Sequence, residues 1–439
     1  MTAAPTAVRT APTTGRHRPV LRAVVVAAVG LGLLAALAPA AVARPAGRPT
    51  AAGCGDAHGR IAVRPATADT PERGTDWQAA DAALAGMTDP GYATSALAAV
   101  REDGRLVWRN ATGVADLATG EPADPRGAFR IGSATETFVA TVLLQLVGEH
   151  RLDLDDRLEC LLPGIVPNST EITVRQLLDH TSGVADYTRD PAFDHRRPEW
   201  LDGGRFKHYA LRDLVDISHR YPPAFPPGAD RQYSDTDYVL VGMIIETLTG
   251  RSWNEEVTRR IIRPLGLADT WMPGDSPVIP GPHAHGYDRT DTGPVDLTPL
   301  NPTPAGSSGA GISTTADLTT FLKALLGGRL LRPAELAAMQ QTTDHGDGRS
   351  YGLGLQRVDT PCGTFWGHAG GFPGYVTMML GSADGKRQFA ASTTVYDIPD
   401  RDTADAAWQK VITTALCGPQ TGTAAPAPVT APDLALPAP

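Results

Sequence analysis

The spacing of hydrophobic and polar positions divides the chain into a patterned body and two unpatterned ends. Asp76 to Met87 carries a short helical pattern. Two strands follow, Ser95 to Val100 and Leu106 to Asn110, with Asp103-Gly104 as the hairpin turn between them. Phe129-Arg-Ile-Gly132 leads into Ser133, after which Phe138, Val139, Leu143, Leu144, Leu146 and Val147 recur at helical spacing. From Ile172 to Leu267 the pattern is mostly helical with proline-rich loops. Tyr238 to Leu248 is a strongly apolar helix there, closed by Gly250. Thr315 to Leu326 predicts a further helix. The last hundred residues change period. Tyr351 to Arg357, Thr364 to His368, Gly374 to Leu380 and Gln388 to Thr394 alternate or run apolar between glycine-rich turns, as antiparallel strands do, and Ala404 to Leu416 closes as a helix. Strands at both ends with helices between them predict an α+β fold: an antiparallel sheet built from both termini and flanked by helices, plus an all-helical region.

The ends read differently. Arg9, Arg16, Arg18 and Arg22 precede an uncharged apolar stretch, Ala23 to Ala38, and Ala41-Val42-Ala43 has the form of a cleavage site, so residues 1–43 read as a signal peptide. A retained anchor is the competing reading; the stretch is just long enough to span a bilayer but is rich in Ala and Gly and broken by Pro39. Residues 44–75 read as a linker and 418–439, with six prolines and no aromatic residue, as a tail that cannot build a core. The folded domain is therefore expected over 76–417, secreted, and without a stable membrane anchor after cleavage.

Composition narrows the function. With 42% hydrophobic and 20% charged residues in 439, the chain is ordinary globular protein. Cleavage after Ala43 removes four arginines and no acid, which takes the formal charge from −9 to −13. Such a body repels nucleic acid and anionic membrane; a small-molecule or peptide substrate is expected only from the resemblance described below. A monomer is expected. The four cysteines, 54, 160, 362 and 417, contain no C-x-x-C and allow three pairings. His283-x-His285 lacks a third ligand nearby and sits among prolines, so an exposed loop is the simpler reading and no metal is expected.

Several short segments are candidates for chemistry. Ser133 stands at a helix start, where N–H groups aim at any developing anion. An N-cap serine explains it equally, and Glu136 completes a capping-box pattern. Tyr233-Ser234-Asp235 precedes the apolar helix and has the composition of an ordinary turn. His180-Thr-Ser-Gly183 reads most simply as a turn. His368-Ala-Gly370-Gly371 lies at a strand end, where glycine either admits a ligand close to the backbone or marks a bulge.

Taken in order, the stretches Phe129-Arg-Ile-Gly-Ser133, Thr173-Val-Arg-Gln-Leu-Leu-Asp-His-Thr-Ser-Gly183, Tyr233-Ser-Asp-Thr-Asp-Tyr238 and Trp366-Gly-His-Ala-Gly370 resemble the penicillin-recognising serine hydrolases. The resemblance is to secreted actinobacterial D-alanyl-D-alanine carboxypeptidases, class C beta-lactamases and related esterases. It implies a sheet-and-helix part packed on a helical part, with the site in the cleft between. It implies Ser133 as the acylated nucleophile, Tyr233 as proton relay, His368 on the strand that carries Lys-Thr-Gly or His-x-Gly in relatives, and the N–H groups of Ser133 and Gly371 as oxyanion hole, with Gly370 and Asp235 lining the pocket. It implies a Cys362–Cys417 disulfide, and by elimination Cys54 with Cys160. No cofactor is implied, since acyl transfer through serine needs none.

The chain departs from that pattern twice. The first motif is ordinarily Ser-x-x-Lys; here Glu136 replaces the lysine. The second is ordinarily Tyr-x-Asn; here Asp235 replaces the amide. Positions three apart on a helix share a face, so Glu136 is expected to point toward Ser133, with at least one of the two acids raised in pKa by burial and repulsion. A poised carboxylate then serves as base, and the acidic pocket disfavours carboxylate-terminated substrates and beta-lactams relative to neutral esters or amides. A catalytically inactive relative that binds a wall peptide or small ligand is the alternative.

Overall fold

The computed structural model describes residues 77–88, 93–290, 293–344, 350–395 and 401–418. The expected signal peptide, the linker up to residue 76 and the tail from 419 lie outside them.

A nine-stranded antiparallel sheet forms the frame. Its central strands run in the order Arg105–Asp116, Ala93–Glu102, Arg387–Val395, Tyr375–Ser382, Gly363–Phe372, Gln356–Thr360. Glu121–Pro122 extends one edge, and Ser350–Tyr351 and Thr343–Asp344 the other. The first strand thus pairs with the last, Ala98 opposite Ala391, so the sheet joins the two halves of the body. Ala93–Glu102 does not alternate in polarity because both faces of the sheet are covered. On one face lie Gln78–Ala85 and the closing helix Arg401–Cys417, packed on Ala96, Val100, Met378, Leu380 and Phe389. On the other lie Thr315–Leu326 and Ala134–Gly148, over Met379, Ala390 and Tyr375. Alternate residues of Tyr375–Ser382 therefore enter two different cores.

Ala134–Gly148 and Asp235–Thr249 are helices buried nearly all round, which is why their apolar positions do not confine themselves to one stripe. The polar residues inside the first are satisfied one by one: Thr137 Oγ1 donates to the Gly354 carbonyl at 2.9 Å, and Thr135 Oγ1 accepts from the Gly311 N–H at 3.0 Å. The expected helices and the other expected strands are present, several strands with longer ends, but the strand expected over Tyr351 to Arg357 is two, Ser350–Tyr351 and Gln356–Thr360, parted at residues 352–355, where Gly354 takes φ +73°. The hairpin Tyr287–Thr290/Gly293–Asp296 was not anticipated. Cys362 and Cys417 are bonded, with Cα atoms 5.4 Å apart, tying the closing helix to the sheet. Cys160 is exposed and forms no disulfide among the described residues; Cys54 lies outside them.

Candidate active site

Ser133 has helical φ/ψ, and its hydroxyl caps no backbone N–H. The capping-box reading fails for a visible reason: Ser133 Oγ instead lies 2.7 Å from Tyr233 Oη, and Glu136 does not fold back on the helix start. Tyr233 Oη donates to Glu136 Oε1 at 2.7 Å. Because Tyr233 has a single proton, Ser133 must donate to Tyr233, giving a directed chain from Ser133 through Tyr233 to Glu136. Asp235 Oδ1 stands 3.1 Å from the same phenol oxygen.

The strand Gly363–Phe372 closes the site from the sheet side. A Cβ at Gly370 would lie 2.0 Å from the Ile131 carbonyl oxygen and 3.0 Å from the Ala134 nitrogen. Gly132, at φ +51°, would put a Cβ 2.3 Å from the Gly371 carbonyl oxygen. Glycine is thus required at both positions for the strand to lie against the start of the serine helix. His368 is buried on that strand; its Nε2 is 2.8 Å from Tyr351 Oη and 3.4 Å from Glu136 Oε2. Tyr351 Oη also reaches Glu136 Oε2 at 3.1 Å.

All five side chains proposed from sequence for chemistry or pocket lining, Ser133, Glu136, Tyr233, Asp235 and His368, therefore meet, and the backbone of Gly370 and Gly371 borders them. Sequence reasoning missed three others. His180, read as part of a turn, is fully buried, with Nε2 3.4 Å from Glu136 Oε2 and Nδ1 3.3 Å from Asp237 Oδ2. Asp237 accepts from Ser182 Oγ at 2.5 Å. Tyr351, read only as a strand start, bridges Glu136 and His368. Asp237 could have been found: it is a third acid within the two motifs that already hold Glu136 and Asp235, and a buried group of that charge calls for a cation.

The electrostatics follow from burial and pairing. Burial pushes the Glu136 carboxyl up, but His180 and then His368 more than offset it and hold it at about 2. Burial pushes His180 down, yet Asp237 and Glu136 raise it to about 9. Asp237 is carried up to about 6 by burial, against the pull of His180 and Ser182. Asp235 is raised well above the carboxylate range by burial, by Asp186 and by Glu136. Tyr233 is raised by burial and by the same two acids, Asp235 and Glu136. The expectation that at least one acid is raised thus holds for Asp235, whereas Glu136 moves the other way because a histidine flanks it. Among the described residues no group of side chains is arranged to hold a metal, and no helix is long and apolar enough to cross a membrane.

A serine joined through a tyrosine to a charged partner, at a helix start beneath a sheet strand, defines a serine-hydrolase site. A family model described as Beta-lactamase matches residues 80–412, and the chain belongs to that family. In structure it is similar to a D-stereospecific amidohydrolase from a Streptomyces species, 37% identical with TM-score 0.71, covering 78% of this chain and 99% of that one. It is also similar to the D-amino acid amidase of Ochrobactrum anthropi SV3, 26% identical with TM-score 0.68, covering 77% and 98%. In sequence it is 31% identical over 304 residues to penicillin-binding protein 4 of Amycolatopsis lactamdurans, covering 65% of this chain and 74% of that protein.

Proposed function

We propose that the chain is an exported serine amidohydrolase that forms an acyl-enzyme on Ser133 from an amide of a D-configured amino acid or short peptide. The observation that carries this reading is the directed hydrogen-bond chain Ser133–Tyr233–Glu136, 2.7 Å at each step. Ser133 Oγ attacks the carbonyl carbon as its proton passes to Tyr233 and the Tyr233 proton to Glu136. The oxyanion is held by the N–H groups of Ser133 and Gly371, worth a few kcal/mol per donor. Collapse breaks the C–N bond, and the proton returns through Tyr233 to the leaving amine. Water then repeats the sequence on the acyl-enzyme, releasing acid and restoring Ser133. Glu136, held ionised at the end of the Tyr233 relay, disfavours a substrate ending in a free carboxylate, which sets amides ahead of carboxypeptidase substrates and beta-lactams. The D preference rests on the relatives' names alone.

A carboxyl held at about 2 is a weak base, so proton removal is slow by the standard of a base matched to neutral pH. The same fact favours the second reading, a relative that binds its ligand without turning it over. Paired D- and L-phenylalanine amides separate the two. Ammonia released from the D form by the wild type but not by Ser133→Ala supports hydrolysis; equal rates in both proteins, or none with any D-amide, sink it. Export predicts that protein recovered from the medium begins at Arg44, and retention of residues 1–43 in the membrane fraction contradicts it. We expect the mature protein to sediment as a monomer.

A further inference from the structure

Glu136 places a fully buried carboxylate on the face of the helix that carries Ser133. A buried charge must be paired. The pairing cation has to come from elsewhere, and the geometry around His180 supplies it.

The His180 ring is wholly buried and has a carboxylate oxygen at each nitrogen: Glu136 Oε2 at 3.4 Å from Nε2 and Asp237 Oδ2 at 3.3 Å from Nδ1. A neutral imidazole presents one N–H and one lone pair, so one of those carboxylates would face a lone pair. Two N–H groups turn a donor toward each: the Asp237 contact has hydrogen-bond geometry, and the Glu136 contact is an ion-pair approach in which Nε2 makes no hydrogen bond. Among the described residues one donor opposes this, the Ser234 N–H, 3.4 Å from Nδ1. His368, the other ring at Glu136, differs: its Nδ1 faces the Ala369 carbonyl rather than an acid. The backbone at His180 is itself costly. It sits at φ +61°, a conformation that few non-glycine residues adopt, which places the ring between the two helices that carry the acids.

We propose that His180 is the resident cation of this site, an imidazolium clamped between Glu136 and Asp237 that does for the Glu136 carboxylate what the absent lysine would otherwise make unnecessary. His180 is thus a positioning residue. It keeps Glu136 ionised, with Oε2 anchored and Oε1 free to accept from Tyr233. Asp237 keeps His180 protonated. Glu136 and Asp237 act together on the ring: an acid at 136 needs His180 charged, and an acid at 237 charges it. The other charges around the ring are consistent with this. Asp179 at the end of Val174–Leu178, Asp186 and Asp235 are all acids. The rings packed on His180 are those of Tyr233, Tyr238 and Tyr351, the last covered by Arg231.

The role in proton transfer rests on the proposed function; the charge state does not, and it is measured separately. In the full chain labelled with 15N-histidine, the ring nitrogens of His180 report their protonation directly. The signal is assigned by its loss in His180→Gln or, should that variant not fold, by ring contacts to Tyr233 and Tyr351. Both nitrogens are expected to be protonated at pH 7.5, with titration only near pH 9. Asp237→Asn is expected to lower that midpoint by at least one pH unit. A neutral His180 at pH 7.5, or a midpoint unmoved in Asp237→Asn, overturns the proposal. If His180 is an imidazolium but Ser133 never reacts, the clamp stands and the hydrolase reading falls.

Discussion

Glu136→Gln isolates the charge at the centre of the site. Glutamine keeps the length of the side chain and one oxygen that still accepts from Tyr233, while its NH2 stands where the second oxygen accepts from Tyr351, so the change removes charge and one acceptor with little change of shape. Glu136 is displaced from 4.5 to about 2 on folding, which at 1.36 kcal/mol per pH unit is worth about 3 kcal/mol. His180 is displaced upward, from 6.5 to about 9, by Asp237 and Glu136 together, so only part of that shift belongs to the Glu136 contact. A depressed carboxyl stabilises fully above its unfolded value and loses that contribution as pH falls through the folded one. The stabilisation is therefore complete at pH 7 and reduced by about 1 kcal/mol at pH 3.5. Urea unfolding followed by tryptophan fluorescence, with the disulfide intact, should show Glu136→Gln less stable than wild type by about 3 kcal/mol at pH 7 and by about 2 kcal/mol at pH 3.5. Urea is chosen over guanidinium because it does not screen the pair. A penalty that is absent, or that is the same at both pH values, refutes the pairing.

Other consequences are more local. The labelling rate of Ser133 by a fluorophosphonate should show no limb centred near pH 4.5, the ordinary glutamate value, because Glu136 titrates near 2; such a limb in wild type, lost in Glu136→Gln, would contradict that. Glu136→Gln should slow the same labelling by roughly 10²–10⁴, the usual contribution of a positioned base, and an unchanged rate would transfer that role to His368 or Asp235. Gly370→Ala drives a methyl into the Ile131 carbonyl and should cost about 1–3 kcal/mol in a denaturation curve and abolish labelling, whereas a neutral variant would mean the strand stands off from the serine helix. Cys417→Ser opens a loop whose ends are 55 residues apart and should cost roughly 4 kcal/mol, detectable as a lower urea midpoint; no change would mean the closing helix is held by Trp408 and Ile412 alone.

Much of this was legible in the sequence because it rests on spacing. The serine helix was visible from Phe138 to Val147, the closing strands from their glycine-rich turns, and the site from four short motifs in order. Spacing also put Glu136 on the face of Ser133. What spacing cannot express is which distant loop supplies a partner. Ser133 with Glu136 matches a capping box until Tyr233, a hundred residues on, is seen to take the hydroxyl. His180 reads as a turn because its importance comes from two carboxylates that other helices bring to it. Tyr351 carries no local signal, being the last residue of a two-residue strand whose hydroxyl happens to reach Glu136 and His368. The direction in which Glu136 shifts was likewise beyond the sequence, since burial and pairing act oppositely and only geometry decides between them.

The central claim is that Ser133 is a working nucleophile despite Glu136 at the lysine position. Intact-mass measurement of the mature protein after incubation with a fluorophosphonate tests it most directly. The account predicts a single adduct that maps to Ser133, present from pH 5 to pH 8 and absent in Ser133→Ala. An unmodified mass across that range, or an adduct that persists in Ser133→Ala, contradicts it.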